Sequence, residues 1–376
     1  MLKGINLTLM MGPGVAVPVN REVLNALTNV QVTGGKEQSG FQLQFSVGKD
    51  SAIINNLLQG SFFDPIITRV IVVVTLQGLP QVLIDGVITN QELSPSNEAG
   101  ASTLTITGDD LSAVMDIVEY TMPYPAMPDA ARVNLILAKY AALGIIPAVV
   151  PPLLTVMNIP TERNESQTHS TDKAYIKQLA ERNGYIFYIK PGPFPGQNVA
   201  YFGPDISIPK PQRALSVNFD AASNTESLTF SMNGSAKKIK VFTIMDEATG
   251  RIPIPIPLPN INPLRPPMGL KPPPIGKFEN ADDSAQLNTA QAARNIIAFL
   301  TRGSSASITV NGSLDVLRYG KILESGMMVG VRGAGIAYDG IYYVDTVTHT
   351  IQPGSYKQNF TLSRDGTISN VASVAV

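Results

Sequence analysis

A short pattern that occurs twice in the chain narrows its possible folds most. The first copy is Leu83-Ile-Asp-Gly-Val-Ile followed by Thr103-Leu-Thr-Ile-Thr-Gly-Asp, and the second is Ala337-Tyr-Asp-Gly-Ile-Tyr followed by Asn359-Phe-Thr-Leu-Ser-Arg-Asp. The Asp of the Asp-Gly pair and the final Asp are 24 residues apart in the first copy and 26 in the second. A β-branched run and a glycine turn precede each copy. We therefore predict a duplicated β unit, used once near each end of the chain.

Other segments of the first block also have strand periodicity. Apolar Phe41, Leu43 and Phe45 alternate with polar residues, as in a half-buried strand. The β-branched run from Val70 to Leu76 predicts a strand buried on both faces. The apolar start of the chain also alternates, which favours a first strand over a secretory signal, since a convincing charged region and cleavage site are missing.

Residues 109–190 change to a helical pattern. Asp109 and Asp110 precede one predicted helix as its cap and first-turn acid, and Asp129 caps a second from Ala130 to Leu143, which Gly144 ends. A third begins at Thr171-Asp172 and ends at Asn183-Gly184, with Tyr175, Ile176, Leu179 and Ala180 as its apolar face. Strands are predicted next at Tyr185 to Ile189, Val199 to Phe202, Leu215 to Phe219, Ser227 to Met232 and Ile239 to Ile244, and a further helix at Ala290 to Leu300.

The segment from Pro253 to Ile275 holds ten prolines in 23 residues, and together with Ile252 it begins Ile-Pro-Ile-Pro-Ile-Pro. This composition predicts extended polyproline-type backbone that is not a packed element. Two interpretations are open, a stiff surface linker and an arm that lies over a neighbouring subunit.

These patterns together predict an α+β, mainly β fold. They indicate two copies of one β unit, with helical and small β insertions between them. The expected divisions are a first β unit at 1–108, a helical insertion at 109–204, joining strands at 205–250, a proline-rich linker or arm at 251–280, and a helix with the second β unit at 281–376.

Composition excludes several classes of site. The chain has no cysteine and two histidines, His169 and His349, so thiolate chemistry and histidine-rich metal centres are ruled out. The net charge of −1 gives no reason to expect nucleic acid as a partner. The longest apolar stretch, Ile66 to Leu76, is too short to span a bilayer. Charged residues make up 15% and hydrophobic residues 44%, which indicates that an assembly covers part of the surface.

The polar clusters of the sequence give no convincing active site. Asp109-Asp110 is a possible carboxylate pair, but helix capping explains both residues. Glu162, Glu165, His169 and Asp172 form a polar cluster whose spacing fits no metal-ligand motif, and a solvated loop explains it as well. His349 lies in an alternating strand and is expected at the surface or an interface, and Gly333-Ala-Gly335 is expected to be a β-turn. We predict no catalytic residue, cofactor or metal.

Three segments resemble phage baseplate hub proteins. Residues Asp172 to Ile189 resemble the helix-to-strand segment of the late control protein D family and of the hub part of the valine-glycine-repeat spike proteins of type VI secretion. Thr105 to Asp116 is similar to the family's first strand-to-helix junction. Tyr338 to Ile351 with Gly354 to Arg364 is similar to its terminal hairpin. The resemblance covers most of residues 40–245 and 305–365 and excludes the proline-rich segment.

The resemblance implies a structural, non-enzymatic hub of a contractile phage tail or injection system. The resemblance implies that each β unit, at 1–108 and 281–376, is a tube-like β-barrel or sandwich domain. Such a hub is a homotrimer in which these two similar domains per chain imitate a six-fold ring. One face docks the hexameric tail tube and the other holds a separate spike protein, among further baseplate proteins. It also implies assembly in the bacterial cytoplasm as part of a phage tail or injection particle, with any wall-cleaving activity residing elsewhere.

Two alternatives remain open at the level of sequence. A tail-tip hydrolase of cell-wall polymer would use Glu162, Glu165 or His169. A β-rich carbohydrate-binding module would use aromatic residues, although the chain has no Trp. The aromatic candidates are Tyr185, Phe187, Tyr188, Tyr342 and Tyr343.

Overall fold

The computed structural model describes residues 4–36, 39–48, 53, 57–58, 60, 62–98, 101–125, 127–152, 166–206, 208–245, 253–260, 262, 264–265, 268–281, 289–302 and 306–370. Strands predominate in this part of the chain, and helices lie mainly in its middle. The predicted α+β, mainly β class is confirmed. Closure of each β unit into a tube-like barrel stays a prediction.

The strands follow one another along the whole described chain. They are β1 (Ile5–Pro13), β2 (Val17–Pro18), β3 (Leu27–Gly35), β4 (Gly40–Val47), β5 (Thr68–Leu76), β6 (Leu79–Ser94), β7 (Ser102–Asp110), β8 (Glu119–Pro123), β9 (Ile145–Val149), β10 (Ser166–Thr171), β11 (Tyr185–Pro191), β12 (Asn198–Pro204), β13 (Ile208–Ser216), β14 (Ser227–Met232), β15 (Lys238–Met245), β16 (Pro253–Pro259), β17 (Gly269–Lys271), β18 (Lys277–Asn280), β19 (Ile308–Asp315), β20 (Met327–Arg332), β21 (Gly340–Gln352), β22 (Ser355–Arg364) and β23 (Thr367–Ser369).

Helices are fewer than strands in the described residues. The α-helices of the described residues are α1 (Arg21–Ala26), α2 (Asp129–Ala138), α3 (Asp172–Asn183), α4 (Thr289–Arg302) and α5 (Val316–Tyr319). The same described residues include three short 3₁₀ segments, Leu111–Asp116, Ala141–Leu143 and Asp220–Ala222.

One sheet of thirteen strands dominates the structure. Its main path runs β14-β19-β22-β21-β3-β4-β7-β6-β5-β1-β2. β20 pairs with β21 on one side and with β13 on the other. Smaller sheets are β8 with β10, β9 with β11 and β12, β15 with β16 and β18, and β17 with β23.

The large sheet contains the same six-stranded arrangement twice. The first unit has the order β3-β4-β7-β6-β5-β1, and the second has β14-β19-β22-β21-β20-β13. In each unit three consecutive strands form a meander, namely β5-β6-β7 and β20-β21-β22, and the earlier strands lie on either side of it. The outer strand differs, because β1 is antiparallel to β5 whereas β13 is parallel to β20. The duplication predicted from the repeated pattern is therefore present as a repeated topology.

Both Asp-Gly pairs of the repeated pattern lie at equivalent strands. Gly86 lies in β6 opposite Val70, and Gly340 opens β21 opposite Val331. A Cβ on Gly86 would stand 2.0 Å from the Asp109 carbonyl oxygen, so a larger residue would push the neighbouring strand away. Glycine is thus required there by the close approach of two backbones.

A single apolar core runs through both units. It includes Phe45 and Ile84 from the first unit and Val310 and Leu362 from the second, all 3% exposed or less. β5 is buried on both faces, as its β-branched sequence predicts. Val70, Val72 and Val74 lie in the main core, and Ile71 and Val73 pack with Val82 on the opposite face.

Residues 111–202 supply most of a second core, built by α2, α3, β11 and β12. The predicted start and end of α3 are confirmed, because the Thr171 hydroxyl accepts from the Ala174 amide at 3.2 Å and Gly184 ends the helix at φ +67°. Its predicted apolar face is also buried. These buried residues are Tyr175, Ile176, Leu179 and Ala180.

Two helix predictions are wrong in detail. The segment after Asp110 is a short 3₁₀ turn, and Asp109 remains in β7, although Asp110 does cap the turn by accepting from the Ser112 amide at 2.8 Å. α2 begins at Asp129 and ends at Ala138, before a separate 3₁₀ turn reaches Gly144. The Asp129 carboxylate makes no cap because it binds cationic side chains instead.

The prediction that the proline-rich segment is not a packed element is wrong for Pro253–Pro259. These residues form β16, an edge strand antiparallel to β15, with Ile256 opposite Phe242. An edge strand needs hydrogen-bond donors on one side only, at alternate residues. The alternation of isoleucine and proline meets that requirement, since proline lacks a backbone N–H.

Among the described residues, no helix is long and apolar enough to cross a membrane.

Candidate assembly interface

The two units join edge to edge inside the chain. β3 of the first unit pairs with the second half of β21, and the register places Val30 opposite Ile351 and Val32 opposite His349. The first half of β21 pairs with β20 instead. The hydroxyls of Thr33 and Thr348 lie 3.1 Å apart across this junction. The chain thus contains one complete example of a unit-to-unit contact.

His349 stands in the core of that junction, so the prediction of a surface or interface position is wrong for the single chain. It is 7% exposed, and its Nδ1 lies 2.8 Å from the Tyr356 hydroxyl and 3.3 Å from Gln358 Nε2. Gln358 also donates to the Leu323 carbonyl at 2.9 Å. Burial lowers the pKa of His349 to about 4, so it is neutral at pH 7. His349 shares its face of β21 with Val347 and Ile351, which belong to the main core, so the alternation itself places it inside.

β14 is an unprotected end of the large sheet. It pairs with β19 on one side, and the order of the described strands ends there. Its sequence, Ser-Leu-Thr-Phe-Ser-Met, has neither a charge nor a proline. Leu228 and Phe230 are half-buried against the main core, whereas Thr229 and Ser231 are exposed. Natural sheets normally protect their edges, and this one is suited to pairing.

The second half of β6 is another open edge. β5 pairs only with β6 residues 79–87, whereas β7 continues alongside as far as Ser94. Residues 90–94 are exposed, including Leu93 at 43%. Within the described chain, no strand pairs with this stretch on the side away from β7.

The other edges of the sheet have features that oppose pairing with a further strand. β2 has two residues, Val17 and Pro18, and β13 contains Pro209, Pro211 and Arg213. Short strands, prolines and charges oppose edge-to-edge pairing. β14 has none of these features, and the second half of β6 has a single charge, Glu92.

Asp129 ties three separate elements together. Its carboxylate binds Arg182, accepts from Asn183 at 2.7 Å and forms an ion pair with Arg294 of α4 at 2.9 Å. Burial alone would raise the pKa of Asp129, but the Arg182 guanidinium and Asn183 outweigh it and hold the pKa below its usual range. The cluster is structural, since every group in it is held by another.

The candidate carboxylates do not converge on one site. Asp172 is fully buried and accepts from Lys139 at 2.9 Å, from Tyr140 at 2.8 Å and from Gln167 at 3.0 Å. His169 is exposed on β10. Glu162 and Glu165 lie outside the described residues. In the described part of the chain, no three acidic or histidine side chains are placed to hold a metal ion.

The aromatic candidates form cores and not a saccharide platform. Tyr185 and Phe187 belong to the second core at 6% exposure, and Tyr342 and Tyr343 are 0% and 5% exposed. Tyr188 is half-buried beside Tyr201, with ring centroids 5.3 Å apart. Gly333-Ala-Gly335 lies in the connection between β20 and β21, with positive φ at both glycines. The hydrogen-bonded turn begins at Gly335, whose carbonyl accepts from the Tyr338 amide at 2.9 Å.

The residues at the open edges were not singled out by sequence reasoning. The sequence of β14 does show the alternation of a strand, because Leu228 and Phe230 alternate with serine and threonine and no charged residue lies among them. Nothing in the local pattern tells an edge strand from an internal one, because only the topology decides which neighbours are missing.

Comparison of the fold with solved structures gives matches over nearly the whole chain. The tail protein from Neisseria meningitidis MC58 has 15% sequence identity and a TM-score of 0.59, covering 97% of this chain and 98% of that one. The 43 kDa tail protein of prophage MuSo2 from Shewanella oneidensis has 15% identity and a TM-score of 0.59, covering 96% and 98%.

This chain has the fold of phage tail proteins. A chain of the Francisella PdpA–VgrG complex also shares the tail-protein fold, with 9% identity and a TM-score of 0.59, and 99% of this chain matches 55% of that one. No model of a known protein family matches the sequence, and no curated protein matches it. The resemblance to hub proteins expected from the sequence therefore holds at the level of the fold.

Proposed function

We propose that this protein is the structural hub of a contractile phage tail or injection-system baseplate. In this role it is a homotrimer that joins a hexameric inner tube to a trimeric spike. The observation that carries the proposal is the repeated six-stranded unit, fused edge to edge within one chain. The shared fold with phage tail proteins and with a VgrG-containing complex supports the same role.

Two equivalent units per chain resolve a symmetry mismatch. Three chains present six similar units, so a threefold ring can contact a sixfold tube at six equivalent positions. The same ring keeps true threefold symmetry on the face where the insertions differ, which suits a trimeric spike. The exposed apolar side chains and the low charge content support burial of additional surface in such an assembly.

The role is non-enzymatic in this proposal. The polar clusters of the described residues are mutually satisfied ion pairs and hydrogen bonds, such as Asp172 with Lys139. The expected partners are a second and third copy of the chain, a tube protein, a separate spike protein and other baseplate proteins. The expected place of action is a phage tail or an injection particle assembled in the bacterial cytoplasm.

Light scattering after gel filtration tests the proposal. The purified chain is expected at three times its 40.2 kDa mass. Co-expression with the spike and tube proteins of the same gene cluster is expected to give a complex that purifies together. A stable monomer at all concentrations, with no capture of either protein, would contradict the proposed hub.

A further inference from the structure

The junction inside the chain is a template for the junction between chains. β3 of the first unit lies against the second half of β21. By the repeated topology, the counterpart of β3 is β14 and the counterpart of β21 is β6. Each of these counterparts has an outer edge with no partner in the described chain. Both halves of a second junction are therefore present but lie at separate places in the sheet.

We propose that β14 of one protomer adds as an antiparallel strand to the second half of β6 in the next protomer. The inference rests on the proposed trimer, and it specifies which surfaces close it. Three such contacts alternate with the three internal β3–β21 contacts, and the six units become one continuous ring.

Local irregularities align the two units residue by residue. β6 has a bulge at Thr89, which has no opposite residue in β7. β21 has a bulge at Asp345, which has no opposite residue in β22. The next pairs are Asn90 with Thr107, and Thr346 with Thr361. Aligned at the bulges, Asn90 corresponds to Thr346 and Leu93 to His349. This alignment differs by two residues from that of the Asp-Gly pairs, because Asn90 follows Asp85 by five residues whereas Thr346 follows Asp339 by seven.

The same alignment continues across the sheet to the opposite edge. Thr107 lies opposite Gln42, which lies opposite Gln31, in the first unit. Thr361 lies opposite Asn311, which lies opposite Thr229, in the second. Gln31 thus corresponds to Thr229, and by the same step Val32 corresponds to Phe230.

The register of β3 with β21 inside the chain then predicts the register of β14 with β6 between chains. Val32 lies opposite His349, so Phe230 is expected opposite Leu93 of the neighbour. Thr33 lies opposite Thr348, so Ser231 is expected opposite Glu92, within reach of a hydrogen bond from hydroxyl to carboxylate. The one-residue alternation of a strand places the apolar pair on one face and the polar pair on the other.

Burial agrees with this assignment. Val30 and Val32 are 1% and 0% exposed because β21 covers them, whereas their counterparts Leu228 and Phe230 are only half-buried. His349 is 7% exposed, whereas its counterpart Leu93 is 43% exposed. The greater exposure of Leu228, Phe230 and Leu93 is expected if the strand that pairs beside them belongs to another protomer.

Disulfide cross-linking tests the register directly, because the natural chain has no cysteine to interfere. The double variant Leu93→Cys with Phe230→Cys is expected to shift on a non-reducing gel from one chain mass to three. Directly opposed Cα atoms in an antiparallel pair are about 4.5–5.5 Å apart, which a disulfide spans. A second double variant, Glu92→Cys with Ser231→Cys, tests the opposite face at exposed positions and gives the same shift.

Two control variants separate register from mere proximity. Leu93→Cys with Thr229→Cys is one residue out of register, and its thiols lie on opposite faces, so it is expected to stay at one chain mass. Val32→Cys with His349→Cys is the matched pair inside the chain, and it is expected to lose both free thiols without any increase in mass.

The outcomes distinguish this inference from the proposed hub. A trimer by light scattering that cross-links through neither in-register pair would overturn the strand pairing and leave the hub intact. Cross-linking of the out-of-register variant as strongly as the others would also overturn it. A chain that is monomeric at every concentration would overturn both.

Discussion

Arg69 and Asp85 form a buried, two-pronged ion pair at the first copy of the repeated pattern. Arg69 Nε lies 2.7 Å from Asp85 Oδ1, and Arg69 Nη2 lies 2.8 Å from Oδ2. The same Nη2 donates to the Leu143 carbonyl at 2.9 Å, and Asn198 donates to Asp85 Oδ2 at 2.8 Å. The pair therefore fastens the first β unit to the segment that carries the second core.

Arg69→Met is expected to destabilise the chain by about 3–5 kcal/mol, because it leaves the fully buried Asp85 carboxylate without its charge partner. Urea unfolding followed by fluorescence or circular dichroism measures the change. The double variant Arg69→Met with Asp85→Leu is the control, and it should be less destabilised than the single variant. Equal stability of Arg69→Met and the natural protein would contradict the role assigned to the pair.

Stability is expected to fall below pH 6.5 through His349. The unfolded imidazole binds a proton at about pH 6.5, whereas the buried one has a pKa of about 4, so the unfolded state binds more protons between these values. The contribution of the neutral His349 to the free energy of unfolding is fully present above pH 6.5 and is lost as the pH falls toward 4. The loss at pH 4.5 is roughly 2–3 kcal/mol relative to pH 7.5.

The variant His349→Gln isolates this effect from the titration of carboxylates. Glutamine keeps a polar group beside Tyr356 and carries no titrating proton. Its free energy of unfolding should fall less between pH 7.5 and pH 4.5 than that of the natural protein. Parallel pH curves for the two proteins would show that His349 is not held neutral by burial.

Gly184→Ala is expected to separate α3 from α4. The residue has φ +67°, and a Cβ would stand 2.1 Å from Thr301 Oγ1 and 2.5 Å from the Ala298 Cα. Gly196→Ala is the matched control, because it has φ +84° with nothing within 4 Å of a Cβ. Chemical denaturation should show a loss of about 1 kcal/mol for Gly196→Ala from backbone strain, and a clearly larger loss for Gly184→Ala. Equal losses would mean that the helix contact adds nothing.

Leu93→Asp is expected to weaken the trimer without unfolding the chain. The side chain is already exposed in the single protomer, and the proposed junction buries it against Phe230. Burying an unpaired charge there should raise the trimer dissociation constant at least about tenfold. Leu79→Asp, at an even more exposed position on the same strand, should leave association unchanged. Analytical ultracentrifugation compares the two, and equal association would count against the junction.

The sequence predicted those features that local chemistry determines. The cap at Thr171, the end of α3 at Gly184, the buried run of β5 and the repeated Asp-Gly strands all follow from one segment at a time. Periodicity and turn chemistry depend on neighbouring residues only, so they can be interpreted without knowledge of the fold.

The errors lie where a distant strand decides the outcome. His349 is the exception, because alternation already places it on the buried face of Val347 and Ile351 and only its polarity suggested the outside. Pro253–Pro259 has the composition of a free arm, but β15 pairs with it. The open edges of β14 and β6 likewise depend on which strands are absent beside them, and no local pattern records that.

Electron microscopy of the purified full-length protein tests the central claim most directly. The account predicts a threefold-symmetric ring with six similar β lobes, alternately joined by β3 with β21 inside a chain and by β14 with β6 between chains. A particle with a different symmetry, or a threefold particle whose two units per chain lie at unlike distances from its axis, would contradict it.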